Sequence, residues 1–146
     1  MKWVHLLTLA TVLVLPGCGK ESARLSIYGT ITLDGDPVET GVITLKPAEG
    51  TKAPLVGGEF TRGAYKIATA NGPIAGKYRV EIRSPEESHE EVVVYPGAPP
   101  GFKTIETIPE AYNTKSKLEI EVSKGSQEHN FDLISSSKSA AENQKK

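Results

Sequence analysis

The sequence has a single cysteine, Cys18, among 146 residues, so no disulfide can form within one chain. It has no excess of positive charge. The formal net charge is −1, with acidic and basic residues interspersed, which leaves no basic footprint for nucleic acid. It has no apolar run long enough to cross a bilayer. The longest, Val4 to Leu15, is broken only by His5, Thr8 and Thr11. At about 1.5 Å per residue it falls short of roughly 30 Å of hydrocarbon. No convincing amphipathic helix, no internal repeat, no Ser-His-Asp spacing and no Gly-rich nucleophile elbow are present. What remains is one small domain with a modest core.

Residues 1–17 read as a secretory signal, with Lys2 as the positive start and the apolar stretch behind it. Leu15-Pro16-Gly17-Cys18 resembles a bacterial lipobox, with Leu at −3, Gly at −1 and Cys at the modified position; Pro16 stands where a small residue is usual. The resemblance implies cleavage before Cys18 and a diacylglyceryl thioether on it, so that no free thiol is left. Several acyl chains, at about 0.8 kcal/mol per buried CH₂, make a stable anchor where one would be marginal. Gly19 is not the Asp that often retains such proteins at the inner membrane, so the outer membrane is favoured over the inner. Residues 18–24 form a polar tether.

The period of two is the dominant pattern in the rest of the chain. Leu25, Ile27, Ile31 and Leu33 share one parity, and Ser26, Tyr28, Thr30 and Thr32 the other, which predicts a half-buried strand. Gly29 stands on the apolar parity, where a missing side chain suits a bulge or close backbone packing. Asp34-Gly35-Asp36-Pro37 stops the strand, and Val42, Ile43 and Leu45 resume one. A loop is expected from Lys46 to Gly58, then a weak strand at Glu59–Thr61, a turn at Arg62-Gly63 and a strand at Ala64–Thr69. Gly76–Arg83 alternates most clearly, with Tyr78, Val80 and Ile82 inward and Lys77, Arg79, Glu81 and Arg83 outward. Ser116–Ser123 alternates likewise, and Phe131 and Leu133 close the domain. The segment from Ser84 to Asn113 is expected to be mostly irregular, with a short strand at Val92–Tyr95 and prolines at 96, 99, 100 and 109. Residues 135–146 have the composition of a disordered tail. Short strands with Gly/Pro turns predict an all-β sandwich or barrel over residues 25–134.

Four blocks carry a family resemblance: Gly29 to Val38, Gly72 to Val80, Ile108-Pro109-Glu110-Ala111-Tyr112-Asn113 with Ser116 and Leu118, and Asn130-Phe131-Asp132-Leu133. Together they resemble the planctomycete-type lipoproteins with a carboxypeptidase regulatory-like, transthyretin-like domain. The resemblance implies a Greek-key β-sandwich of about seven strands. One block departs: Glu59-Phe60-Thr61-Arg62-Gly63-Ala64-Tyr65 lacks the Asp common in the family and has a shorter turn. The fold class implies little about chemistry, since such folds host unrelated roles.

The acidic run Glu86-Glu87-Ser88-His89-Glu90-Glu91 reads as a solvated, self-repelling loop; carboxylates suit Ca²⁺, but the spacing matches no metal cage. Asp34 and Asp36 flanking Gly35 read as a turn. His129 is expected at the surface. The first strand lacks the histidine, and the chain the Tyr-Arg-Gly-Ser ending, of the transthyretin-like hydroxyisourate hydrolases. It also lacks the lysine of isopeptide-forming adhesin domains. Tyr95, Phe102 and Tyr112 stand in the long segment, where aromatics pack the loop or meet a partner; packing is the expectation for Phe102 and Tyr112. The expectation is a non-catalytic, cofactor-free, lipid-anchored cell-envelope module for binding or spacing. Its contacts would be the membrane through Cys18 and a protein or polysaccharide through Tyr95, Phe102, Glu86 and Glu87. The alternatives are a carbohydrate-binding module using loop aromatics, and a periplasmic enzyme or metal protein.

Overall fold

The computed structural model describes residues 23–136 except 94, 98 and 126. Cys18, the signal and most of the tether and tail lie outside the described residues. The strands are β1 (Ile27–Leu33), β2 (Asp36–Pro37), β3 (Thr40–Pro47), β4 (Val56–Thr61), β5 (Ala64–Ile67), β6 (Gly76–Arg83), β7 (Pro85–Val92), β8 (Gly101–Glu106), β9 (Glu119–Val122), β10 (Gln127–Glu128) and β11 (Phe131–Leu133). The fold is all-β. Its main sheet runs β10-β1-β5-β4-β3-β6-β9, with β2 and β11 also paired to β1, and it is largely antiparallel. It curls around one apolar core, an arrangement consistent with a β-sandwich.

β1 pairs with more strands than any other in this sheet. One edge pairs with β5 over Ile27–Thr30 and with β2 over Thr32 and Leu33. The other edge pairs in parallel with β10 and then β11. Between those two strands the chain steps across Gly29. A Cβ there would stand 1.9 Å from the His129 carbonyl oxygen, so close backbone approach is what this glycine permits. Asn130 replaces a ladder bond at the step: its Oδ1 accepts from the Thr30 N–H at 2.8 Å and from Thr30 Oγ1 at 2.9 Å. Tyr65, opposite Gly29 in register, donates from its hydroxyl to the His129 carbonyl at 2.7 Å.

Two hairpins share one turn type. Asp34 (φ 58°) and Gly35 (φ 101°) join β1 to β2, and Arg62 (φ 50°) and Gly63 (φ 74°) join β4 to β5. Two consecutive positive φ values match the right-handed twist of the flanking strands, as in type I′ hairpins. The shortened Arg62-Gly63 block is therefore a two-residue connection.

Burial follows parity over most strands. Ile27, Ile31, Ile43, Leu45, Tyr78, Val80 and Ile82 have no exposed surface. Each aliphatic side chain so buried contributes about 1.5–3 kcal/mol. Ile108 and Asn113 are buried too, and Asn113 Nδ2 donates to the Ile108 carbonyl at 2.9 Å. Tyr112 packs against the core, and its hydroxyl accepts from the Ile134 N–H at 3.2 Å.

The structure corrects four expectations. β4 begins at Val56, so the preceding loop is shorter than Lys46–Gly58. Glu81 is not on a wet face: it is 5% exposed, with Lys46 Nζ at 2.7 Å and Arg79 Nε at 4.0 Å covering its carboxylate. His129 is half-buried, and its Nε2 is buried without a hydrogen-bond partner among the described residues; burial lowers the imidazole pKa from its ordinary value. The segment from Ser84 to Asn113 is not mostly irregular. β7 and β8 pair as an antiparallel ribbon, with the prolines at 96, 99 and 100 in the connection.

Candidate functional site

The β7–β8 ribbon gathers the residues with the most exposed chemistry. β8 supplies the strand-favouring residues Phe102, Thr104 and Ile105, while β7 is rich in glutamate and owes its extended form to pairing with β8 across a Pro/Gly-rich connection in which Gly97 takes φ 92°. The register sets Pro85 opposite Glu106, Glu86 opposite Ile105, Glu87 opposite Thr104, Glu91 opposite Phe102 and Val92 opposite Gly101, with a bulge between Glu87 and Glu91. Directly opposed residues share a face. One face therefore holds Phe102 and Thr104 beside Glu87 and Glu91, and the other holds Lys103 and Ile105 beside Glu86.

The base of the ribbon is clamped to the domain. Ser84 is buried, and its hydroxyl donates to the Thr40 carbonyl at 2.6 Å. The Thr107 N–H and hydroxyl both donate to the Ser84 carbonyl, at 3.1 and 2.8 Å. Glu106 Oε1 accepts from the N–H groups of Ser84 and Ile108, at 2.8 and 3.2 Å, and Arg83 stands 4.0 Å from its other oxygen. These bonds fix where the ribbon leaves the sheet.

Beyond the base nothing in the described chain covers the ribbon. Tyr95 is 63% exposed, Phe102 53%, Val93 61% and Ile105 51%. Exposure of Phe102 overturns the expectation that it packs the segment onto the sheets; the register turns it toward Glu91 on a ribbon with no layer beneath it. Tyr112, by contrast, is structural, as expected. Ile105 is unmarked in the sequence because both faces of the ribbon are wet, so no alternation reveals it; the short strand expected at Val92–Tyr95 is replaced by β7, which ends at Val92. The signal that does mark β8 is the run Phe102-Lys103-Thr104-Ile105, rich in residues that favour strands.

The four candidate contact residues fall on this one element. Glu86 and Glu87 lie on opposite faces of β7, Phe102 is on β8, and Tyr95 is in the connection. The acidic run is strand rather than loop. Lys103 Nζ pairs with Glu90 Oε2 at 3.1 Å, while Glu86, Glu87 and Glu91 have no ion-pair partner among the described residues. Glu87, Ser88, His89 and Phe102 line a hollow of about 200 Å³ at the bulge. A larger open cleft of about 490 Å³ lies elsewhere, between Ala111, Tyr112, Lys115, Lys117 and Leu118. There Glu110 pairs with Lys115, which lowers the Glu110 pKa and raises that of Lys115. Among the described residues no three His, Cys, Asp or Glu side chains converge to hold a metal ion, and no helix is long and apolar enough to cross a membrane.

No family model and no curated protein matches the chain. Among solved structures, a 9R-lipoxygenase from Cyanothece PCC8801 aligns over 88% of this chain at 12% identity with a TM-score of 0.34. The alignment spans only 18% of that chain, and a likeness this distant carries neither a fold assignment nor an activity.

Proposed function

We propose that the chain is a non-catalytic, lipid-anchored cell-envelope protein. In this reading a transthyretin-like Greek-key domain of the carboxypeptidase regulatory-like kind holds the β7–β8 ribbon away from the membrane for contact with an envelope partner. The observation that carries the reading is the placement of the two ends of β6. The Leu25 N–H, just after the tether, donates to the Pro73 carbonyl at 2.7 Å, and β6 starts three residues later at Gly76. β6 then runs eight residues to Arg83, where the ribbon leaves. At about 3.3 Å per residue that separates the tether from the ribbon's base by roughly 23 Å. In this reading the tether joins one end of the domain and the exposed aromatics lie beyond the other. The outer membrane remains the favoured site, on Gly19.

Two experiments test this. Cys18→Ser is expected to move the protein out of the membrane fraction and leave an uncleaved precursor; unchanged partition and size would refute the anchor. Tyr95→Ala/Phe102→Ala and Glu86→Ala/Glu87→Ala are each expected to melt like the parent yet lose envelope partners in a pull-down. Retention of a partner by both variants, equal to the parent, would move the contact surface off the ribbon. Exposed Tyr95 and Phe102 also favour a second reading, sugar stacking. Loss of polysaccharide retention by the aromatic variant alone would select it.

A further inference from the structure

We propose that β8 is an acceptor edge for an extended, cationic polypeptide segment, which joins the ribbon as a third strand. This rests on the reading of the ribbon as the contact surface and names the class of partner. Three features of the ribbon support it.

The first is the edge itself. Among the described residues β8 pairs only with β7, on one side, and all six of its residues are exposed. A two-stranded ribbon is marginally stable in water, and an open edge presents unpaired N–H and C=O groups that template another strand. The two outer edges are not equivalent. β7 starts at Pro85, which has no N–H, and is interrupted by the bulge between Glu87 and Glu91. β8 has neither defect, so backbone pairing falls to β8.

The second is apolar surface flanking that edge. Phe102 projects on one face of β8 and Ile105 on the other. A strand laid beside β8 alternates its own side chains between the same two faces, and each face offers it one large apolar contact.

The third is charge, which selects the occupant. The ribbon carries Glu86, Glu87, Glu90, Glu91 and Glu106 against Lys103 alone. Lys103 is engaged by Glu90, and Glu106 is engaged at the base. Glu87 and Glu91 remain on the Phe102 face and Glu86 on the Ile105 face. An added strand would lie two spacings, about 9.6 Å, from β7. Lysine or arginine arms can cross that gap over the small Thr104, which lies opposite Glu87, and the distance is about one Debye length at 0.1 M salt. An anionic lipid surface or a second acidic ribbon would meet repulsion instead.

The test uses the full chain in a neutral detergent and a fluorescent, end-blocked heptapeptide of alternating lysine and valine, with anisotropy as the readout. The lysine peptide is expected to bind about tenfold or more tightly than the same peptide with glutamate for lysine. Two further peptides carry N-methyl groups on alternate backbone amides, one set each. Strand addition requires one set to abolish binding and the other to be tolerated, because successive N–H groups of a strand point to opposite edges. Glu87→Gln/Glu91→Gln is expected to weaken binding about fivefold and to flatten its decline as salt rises. Equal binding of both N-methylated peptides, or of the lysine and glutamate peptides, would overturn the proposal. So would a concentration-dependent dimer through the ribbon, which would assign the edge to a second copy. If no peptide binds but Tyr95→Ala/Phe102→Ala still loses envelope partners, strand addition fails and the ribbon reading stands; if that variant also retains them, both fail.

Discussion

Gly29→Ala is the sharpest perturbation the structure offers, because the added methyl meets backbone. An ideal Cβ on Gly29 would lie 1.9 Å from the His129 carbonyl oxygen and 2.7 Å from its carbonyl carbon, whereas ordinary contact begins at 3.4 Å. β1 and the step between β10 and β11 would have to part by about 1.5 Å. Four hydrogen bonds cross that place: Tyr65 Oη to the His129 carbonyl, the His129 N–H to the Tyr28 carbonyl, and the Thr30 N–H and hydroxyl to Asn130 Oδ1. Losing two of them costs about 2 kcal/mol, at about 1 kcal/mol net each. Partial uncovering of Phe131 and Leu133, buried just beyond the step, adds about 1–2 kcal/mol. The expected total, about 3–4 kcal/mol, is a large share of the roughly 5–15 kcal/mol that holds a domain folded. The control is Gly35→Ala. It has φ 101° and open space around its Cβ, so it loses only the conformational preference, about 1–2 kcal/mol. Urea melts followed by far-ultraviolet circular dichroism measure both. A Gly29→Ala loss no greater than that of Gly35→Ala would refute the claim that close approach, rather than backbone freedom, makes glycine necessary there.

Further outcomes follow from burial. Val80→Ala is expected to cost about 1–3 kcal/mol in the same melts, through lost burial and a cavity, and Glu119→Ala to stay within about 0.5 kcal/mol. Glu81→Ala should exceed that surface range although alternation places it outward, because it removes a buried side chain with its ion pair to Lys46 and leaves a gap; a Glu81 effect equal to that of Glu119 would mean its burial is without consequence. Acidification tests His129. Its folded pKa is lowered by burial, so the folded state binds fewer protons than the unfolded one, and its contribution is full above the ordinary histidine value and falls as pH drops below it. The slope is at most about 1.4 kcal/mol per pH unit for one proton. His129→Gln should flatten stability between pH values of roughly 7 and 5 relative to the parent, and an unchanged slope would place the acid sensitivity elsewhere.

Residue order along the chain was sufficient for features that depend on neighbours in sequence. The period of two located β1, β6, β9 and β11, because alternate side chains of a strand face opposite sides whatever the strand pairs with. Asp34-Gly35 and Arg62-Gly63 marked turns, because positive φ is a property of the residues in the turn, while the pairing that makes each a hairpin is seen only in the structure. Gly29 announced close packing by its place on the apolar parity, though not that His129 is what approaches it. Tertiary structure alone decided the rest. Glu81 shares a parity with exposed Arg79, and only the pairing of β6 with β3 brings Lys46 over it. His129 is half-buried because the step between β10 and β11 crosses Gly29, a contact spanning most of the chain. The ribbon is hidden in the sequence because Pro96, Pro99 and Pro100 suggest irregularity while in fact lying in the connection. Both its faces meet water, so no alternation of apolar and polar residues could arise to reveal it. Strand periodicity reports a buried face; where no face is buried, only the pairing itself shows that a strand exists.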